Sequence, residues 1–90
     1  MPERTARILN TSGLHARPST ELVKLTNRYR CRIEILTGRE IVNAKSVMEV
    51  LTLAAVCGTD LRFRAEGEDA EEALDAIADL VSRRFGTETV

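Results

Sequence analysis

The segment DAEEALDAIADLVSRRFG, Asp69 to Gly86, constrains the fold of this 90-residue chain most. Ala70, Ala73, Leu74, Ile77, Leu80, Val81 and Phe85 recur at three- and four-residue spacing, so a helix here carries one continuous apolar stripe. Asp69 stands at its start with Glu72 in the capping-box position, and Gly86 closes it. A long helix with one apolar face needs a layer to lie on, and the rest of the chain supplies that layer mainly as strands.

Thr5 to Leu9 alternates weakly and reads as a first strand. From Ala16 the spacing turns helical, with Ser19, Leu22, Val23, Thr26 and Tyr29 on one face and Glu21, Lys24 and Arg28 on the other. In CRIEIL, Cys31, Ile33 and Ile35 alternate with Arg32 and Glu34. TGRE then supplies a turn at Gly38 and IVN a return strand, so Cys31 to Asn43 reads as a hairpin. SVMEVLTLAAVCG reads as a short helix, with Ser46 and Glu49 at capping-box spacing and Gly58 as its stop. In DLRFRAEG, Leu61, Phe63 and Ala65 alternate with Arg62, Arg64 and Glu66. The order is β-α-β-β-α-β-α in one domain over residues 1–90, an α+β chain with helices on one face of a sheet and water on the other.

Composition narrows the function classes. With no Trp, one Tyr and two Phe, the chain has no aromatic platform for stacking bases, which argues against nucleic acid as a partner. No apolar run approaches the roughly 18 residues of a membrane span and no leader is legible, so the expectation is a cytoplasmic protein that does not insert into membranes. Cys31 and Cys57 form no CxxC pair and have one histidine for company, which argues against a metal site; two buried thiols are the expectation, with a disulfide between them as the alternative. The net charge of −1 hides an asymmetry: residues 1–45 hold nine Lys/Arg against four Asp/Glu, and residues 46–90 hold four against ten. The basic half reads either as a face for an acidic partner or phosphate, or as solvated surface.

The one histidine, His15, lies in NTSGLHARPST, where the first strand has ended and the first helix begins. Pro18 belongs in a first helical turn, because the amide it lacks would have had no acceptor there. His15 is therefore the N-cap or its neighbour, beside the free amides of Ala16 and Arg17 and the guanidinium of Arg17. A helix N-terminus stabilises an anion by about 0.3–1 kcal/mol, rising to about 2 kcal/mol when partly buried. That suits a phosphoryl group that is held and then released. No companion carboxylate or nucleophile points to acid-base catalysis. On residue chemistry alone, phosphoryl handling and a plain capping histidine both stand.

SGLHARPST closely resembles the active-site signature of the HPr family, the histidine-containing phosphocarriers of the bacterial phosphoenolpyruvate-dependent sugar phosphotransferase system. NAKSVMEVLTLAAVCGT resembles that family's second motif, and RAEGEDAEEALDAIADLV its C-terminal strand and helix, so the resemblance covers nearly the whole chain. It implies an open-faced β-sandwich whose four-stranded antiparallel sheet runs in the order 1-4-2-3 under three helices. It implies a carrier rather than an enzyme, needing no cofactor or metal, in which His15 takes a phosphoryl group from Enzyme I through Nδ1 and passes it to IIA proteins. Arg17 and the amides of Ala16 and Arg17 would hold the group.

The resemblance also implies a docking patch on the second helix, carried here by Val47, Met48 and Leu51, with Ala16, Thr20, Lys24, Thr52 and Ala55 at its edges. The alternative for the apolar members is core packing, although Leu53, Ala54 and Val56 are available for that. Ser46 is a helix cap, and by resemblance the site of a regulatory serine kinase and phosphorylase. The chain is expected to act as a monomer. LAAVCGT lacks the glycine some members carry after the TL pair, and RRFG resembles the nitrogen-linked NPr branch. The alternative function is accordingly an NPr-type regulatory binding module controlled by phosphorylation.

Overall fold

The alternation in CRIEIL and DLRFRAE forms the two central strands of one sheet in the computed structural model, which describes residues 2–38 and 40–86. The elements are β1 (Glu3–Arg7), α1 (Ala16–Thr26), β2 (Arg32–Thr37), β3 (Glu40–Asn43), α2 (Val47–Thr52), β4 (Asp60–Glu66) and α3 (Ala70–Ser82), followed by a 3-10 turn over Arg84–Gly86. The strands pair antiparallel in the order β1-β4-β2-β3, as the resemblance implies. Of the turn expected between β2 and β3, Arg39 lies outside the described residues.

One face of the sheet is the core. Ile33 and Ile35 of β2, Val42 of β3 and Leu61, Phe63 and Ala65 of β4 are buried there. Against them lie Leu22 of α1 and the whole predicted stripe of α3, from Ala70 to Val81, with Phe85 beyond it. Each large side chain so buried contributes roughly 1.5–3 kcal/mol of transfer free energy. The other face carries charges that pair across strands: Arg64 with Glu34 at 2.8 Å, Arg7 with Asp60 at 2.9 Å and Arg62 with Glu3 at 3.5 Å. Exposed pairs such as Arg7–Asp60 and Arg62–Glu3 are worth about 0–1 kcal/mol each, so they keep the face soluble and help set register more than they hold the fold.

Four expectations are corrected. The first strand covers Glu3–Arg7, not Thr5–Leu9, because its register is set by β4, from Glu3 opposite Arg64 to Arg7 opposite Asp60, and not by its own weak hydropathy. The second helix stops after Thr52 instead of running to Gly58: Ala54 takes a left-handed φ of 47°, which turns the chain before Ala55. Ala54 and Val56 are exposed; it is Val50, fully buried, that anchors α2, with Leu53 half-buried against the core. Of the two thiols only Cys31 is buried, and Cys57 is exposed.

At the start of α3 the cap also differs. Asp69 occupies the N-cap position, yet its side chain makes no capping bond. Its carboxylate instead accepts the backbone N–H groups of Arg30 and Cys31, both at 2.9 Å, tying the exit of α1 to the entry of α3. At the far end α3 stops at Ser82, and left-handed Arg84 and Phe85 fold the aromatic ring back into the core.

Candidate functional site

His15 is the N-cap of α1, in extended conformation (φ −103°, ψ −162°), and its ring makes no capping hydrogen bond. It is exposed. A cap whose side chain caps nothing leaves its imidazole free for other chemistry. The helical ladder starts at Ser19, whose N–H donates to the His15 carbonyl at 3.0 Å. The three preceding positions have no acceptor within the helix. Pro18 has no N–H to orphan, which leaves the amides of Ala16 and Arg17, and the first turn holds no acidic residue to occupy or repel at that end. Negative charge beside His15 therefore meets two amides and a helix dipole already in place.

The loop that delivers His15 is fixed from both sides. Ile8 donates to Thr59 O at 2.9 Å and accepts from Gly58 N at 2.8 Å, so β1 stays attached to the approach to β4. Gly13 has a φ of 69° and packs so closely on the 55–56 backbone that a Cβ would stand 2.4 Å from the Ala55 oxygen. Only glycine satisfies both conditions. Leu14 is buried and donates its N–H to Ala55 O at 2.8 Å.

Arg17 is exposed, one residue into the helix from Ala16. It also lines an open groove of about 560 Å³ between α1 and the C-terminal turn, with Lys24, Arg28 and Arg83 as further cations and Glu21 as the one acid. Part of the positive charge of the N-terminal half, Arg17, Lys24 and Arg28, thus lines this groove, where it attracts acidic surfaces.

The residues expected to dock partners fall on two adjoining helices. Ala16, Thr20 and Lys24 follow one another at four-residue spacing on exposed positions of α1. Thr20 is held by its Oγ1, which donates to Ala16 O at 2.8 Å, and Lys24 lies 3.6 Å from Glu21. On α2, Met48 is 73% exposed and Leu51 38%, Thr52 is exposed and Val47 half-buried. Ala55 lies beyond the helix and is half-buried, with its carbonyl engaged by Leu14. The entry of α2 is tied to α1 by Thr26 Oγ1 donating to Ala44 O at 2.8 Å and Asn27 Nδ2 donating to Lys45 O at 3.2 Å.

Ser46 is the N-cap of α2, its Oγ accepting from Glu49 N at 3.3 Å. The reciprocal half of the capping box is displaced: the Glu49 carboxylate accepts from Asn43 N at 3.0 Å, while Ser46 N donates to Asn43 O at 3.1 Å. The reading of the sequence missed Asn10, a fully buried polar residue at the root of the His15 loop. An asparagine just before a glycine turn is its only sequence signal, and many exposed turns share it.

Comparison with known proteins bears directly on this arrangement. A family description, "PTS HPr component phosphorylation site", matches residues 2–83. The phosphocarrier protein HPr of Treponema pallidum is 40% identical over 88 residues, covering 98% of this chain and all of that protein. That of Pseudomonas aeruginosa is 41% identical over 86 residues, covering 94% and 96%. The crystal structure of HPr-C-His from Thermoanaerobacter tengcongensis superposes with a TM-score of 0.93 at 38% identity, covering 99% of this chain and 100% of that one.

Proposed function

The chain belongs to the HPr family, the phosphocarriers of the phosphoenolpyruvate-dependent phosphotransferase system, and from that premise we propose that His15 is the residue that carries the phosphoryl group. One observation bears most of the weight: an exposed imidazole stands at a helix N-cap without capping it, beside two amides that have no acceptor in the helix. In the neutral ring one nitrogen holds the proton and the other a lone pair. Nδ1 attacks phosphorus, the N–P bond forms as the bond to the donor's leaving group breaks, and the reverse step at the next protein restores the ring. Little covalent chemistry is asked of the carrier beyond position and charge stabilisation. The amides of Ala16 and Arg17 receive the phosphoryl oxygens, and the guanidinium of Arg17 adds a charge-assisted partner.

Enzyme I is the donor on this reading and IIA proteins are the acceptors. Both would settle on the apolar surface of Met48 and Leu51 with Val47, flanked by Ala16, Thr20, Lys24, Thr52 and Ala55. A partner with an acidic rim meets the cations along α1. Ser46 is the regulatory acceptor for a serine kinase and a phosphorylase; its hydroxyl is held by a single long bond and stands at the foot of the docking helix.

The test is phosphorylation by Enzyme I and phosphoenolpyruvate. The protein should take up one acid-labile phosphoryl group, and His15→Ala none. Arg17→Ala should fold normally, being exposed, and accept the group more slowly. Full labelling of His15→Ala would overturn the assignment, and equal rates for Arg17→Ala and the parent would remove the role given to the guanidinium.

A further inference from the structure

We propose that Asn10 is a positioning residue for phosphoryl transfer at His15, acting through the peptide unit between Gly13 and Leu14; the proposal rests on His15 being the acceptor. Asn10 is 0% exposed. Its Nδ2 donates to Gly13 O at 2.7 Å, and its own carbonyl accepts from Gly13 N at 3.1 Å, so one residue grips the glycine at both backbone groups. The identity of the amide is forced, because the Gly13 carbonyl can only accept. The Gly13 carbonyl and the Leu14 N–H belong to a single planar peptide group. Its oxygen is held by Asn10, and its N–H is held by Ala55 O at 2.8 Å. A plane fastened at both ends cannot rotate, and it is the last one before Leu14 leads into His15. Leu14 itself is buried, which fixes the next link.

What the asparagine supplies is one donor on the carbonyl of buried Gly13. Aspartate, its isostere, has no such donor when ionised, and alanine has none at all. Without it the peptide plane keeps only the Ala55 bond and can swing, moving the imidazole relative to the amides of Ala16 and Arg17. Displacements of about 1 Å in a transfer geometry can cost about a hundredfold in rate.

The measurement combines amide hydrogen exchange with transfer kinetics on the full chain. In the parent the Leu14 amide should exchange slowly, and in Asn10→Ala it should exchange far faster while the β4 amides stay protected. With phosphorylated Enzyme I as donor, Asn10→Ala should lose about tenfold or more in kcat with KM little changed, because the Met48 and Leu51 surface is intact. Asn10→Asp should be as slow at neutral pH, and its rate relative to the parent should recover as acid protonates the carboxyl and restores an O–H donor to Gly13. The same ratio for Asn10→Ala should stay flat. The proposal is overturned by a Leu14 amide that exchanges freely in the parent. Folded Asn10→Ala with kcat within about twofold of the parent also overturns it. Labelling of His15→Ala would instead bring down the acceptor assignment, and exchange at Leu14 reads out independently of it.

Discussion

Met48 is 73% exposed, and a methionine so placed is available to a partner at little expense to the fold. Its unbranched, polarisable side chain adapts to more than one opposing surface, which suits the proposed exchange between a donor and its acceptors. Met48→Glu is expected to leave the melting temperature near that of the parent and to weaken Enzyme I binding markedly, because the carboxylate would have to be desolvated on docking. Calorimetric titration beside thermal melts decides it; a sharp loss of stability with unchanged binding would show that Met48 packs inward. His15 was legible as a candidate through the family signature around it, because a lone imidazole before a helix-starting proline reads equally as a plain cap; the structure adds that its ring makes no capping bond. Asn10 was not legible, because its importance comes from the far partner of the peptide plane it holds, and Ala55 is distant in sequence.

At the scale of the element, α2 is short because something outside it ends it. Its apolar letters continue through Leu53, Ala54 and Ala55, and periodicity alone extends the helix to Gly58. The chain turns at Ala54 so that Ala55 can receive Leu14, and a tertiary bond of that kind leaves no trace in local sequence. A left-handed alanine costs roughly 1–2 kcal/mol, and glycine's extra chain entropy costs roughly 0.5–1 kcal/mol. Ala54→Gly should therefore stabilise the protein by up to about 1.5 kcal/mol, which denaturant melts would detect; a loss of stability would mean the turn is unstrained. At the other end of α2, Ser46→Ala removes a cap whose loss typically costs about 0.5–2 kcal/mol, and the long 3.3 Å bond places it toward the lower end. Ser46→Asp keeps an acceptor there, but Glu49 already stands in the first turn, so stability should hardly change. Association with Enzyme I should slow, and recover as salt screens the new charge. Stopped-flow association at two salt concentrations checks it, and an undiminished rate at low salt would leave Ser46 as a cap only.

Across the whole molecule, the helices and the hairpin were legible because each carries its own period, whereas the order of the strands was not. Nothing in β1 alone says that it pairs with β4 and not β2; that order came from the family's signature motifs. Asp69 shows the same limit. Its place before an apolar stripe reads as a cap, but its carboxylate is spent on Arg30 and Cys31, far away in sequence. Those bonds, the Arg30 N–H foremost, hold its pKa below the usual aspartate range. A carboxylate depressed in the folded state adds stability at neutral pH, and that contribution drains away as pH falls from about 4 through the lower folded value. Asp69→Asn, which turns one acceptor into a donor facing an N–H, should melt below the parent at neutral pH. The gap should close in acid, where the parent is protonated too. Melting curves across an acid series test this, and a gap that persists unchanged would assign the loss to something other than the carboxylate.

With His15 as the proposed acceptor, its exposure sets a clock as well as a site. A phosphoryl group mounted on an open helix tip is within reach of any partner, and also within reach of water. The loaded carrier is therefore perishable: between donor and acceptor, hydrolysis competes with delivery. Delivery wins only when collisions with the next protein come faster than spontaneous decay, so the fraction of loaded molecules tracks the balance of supply and demand. A buried histidine would keep its cargo longer and report that balance less faithfully.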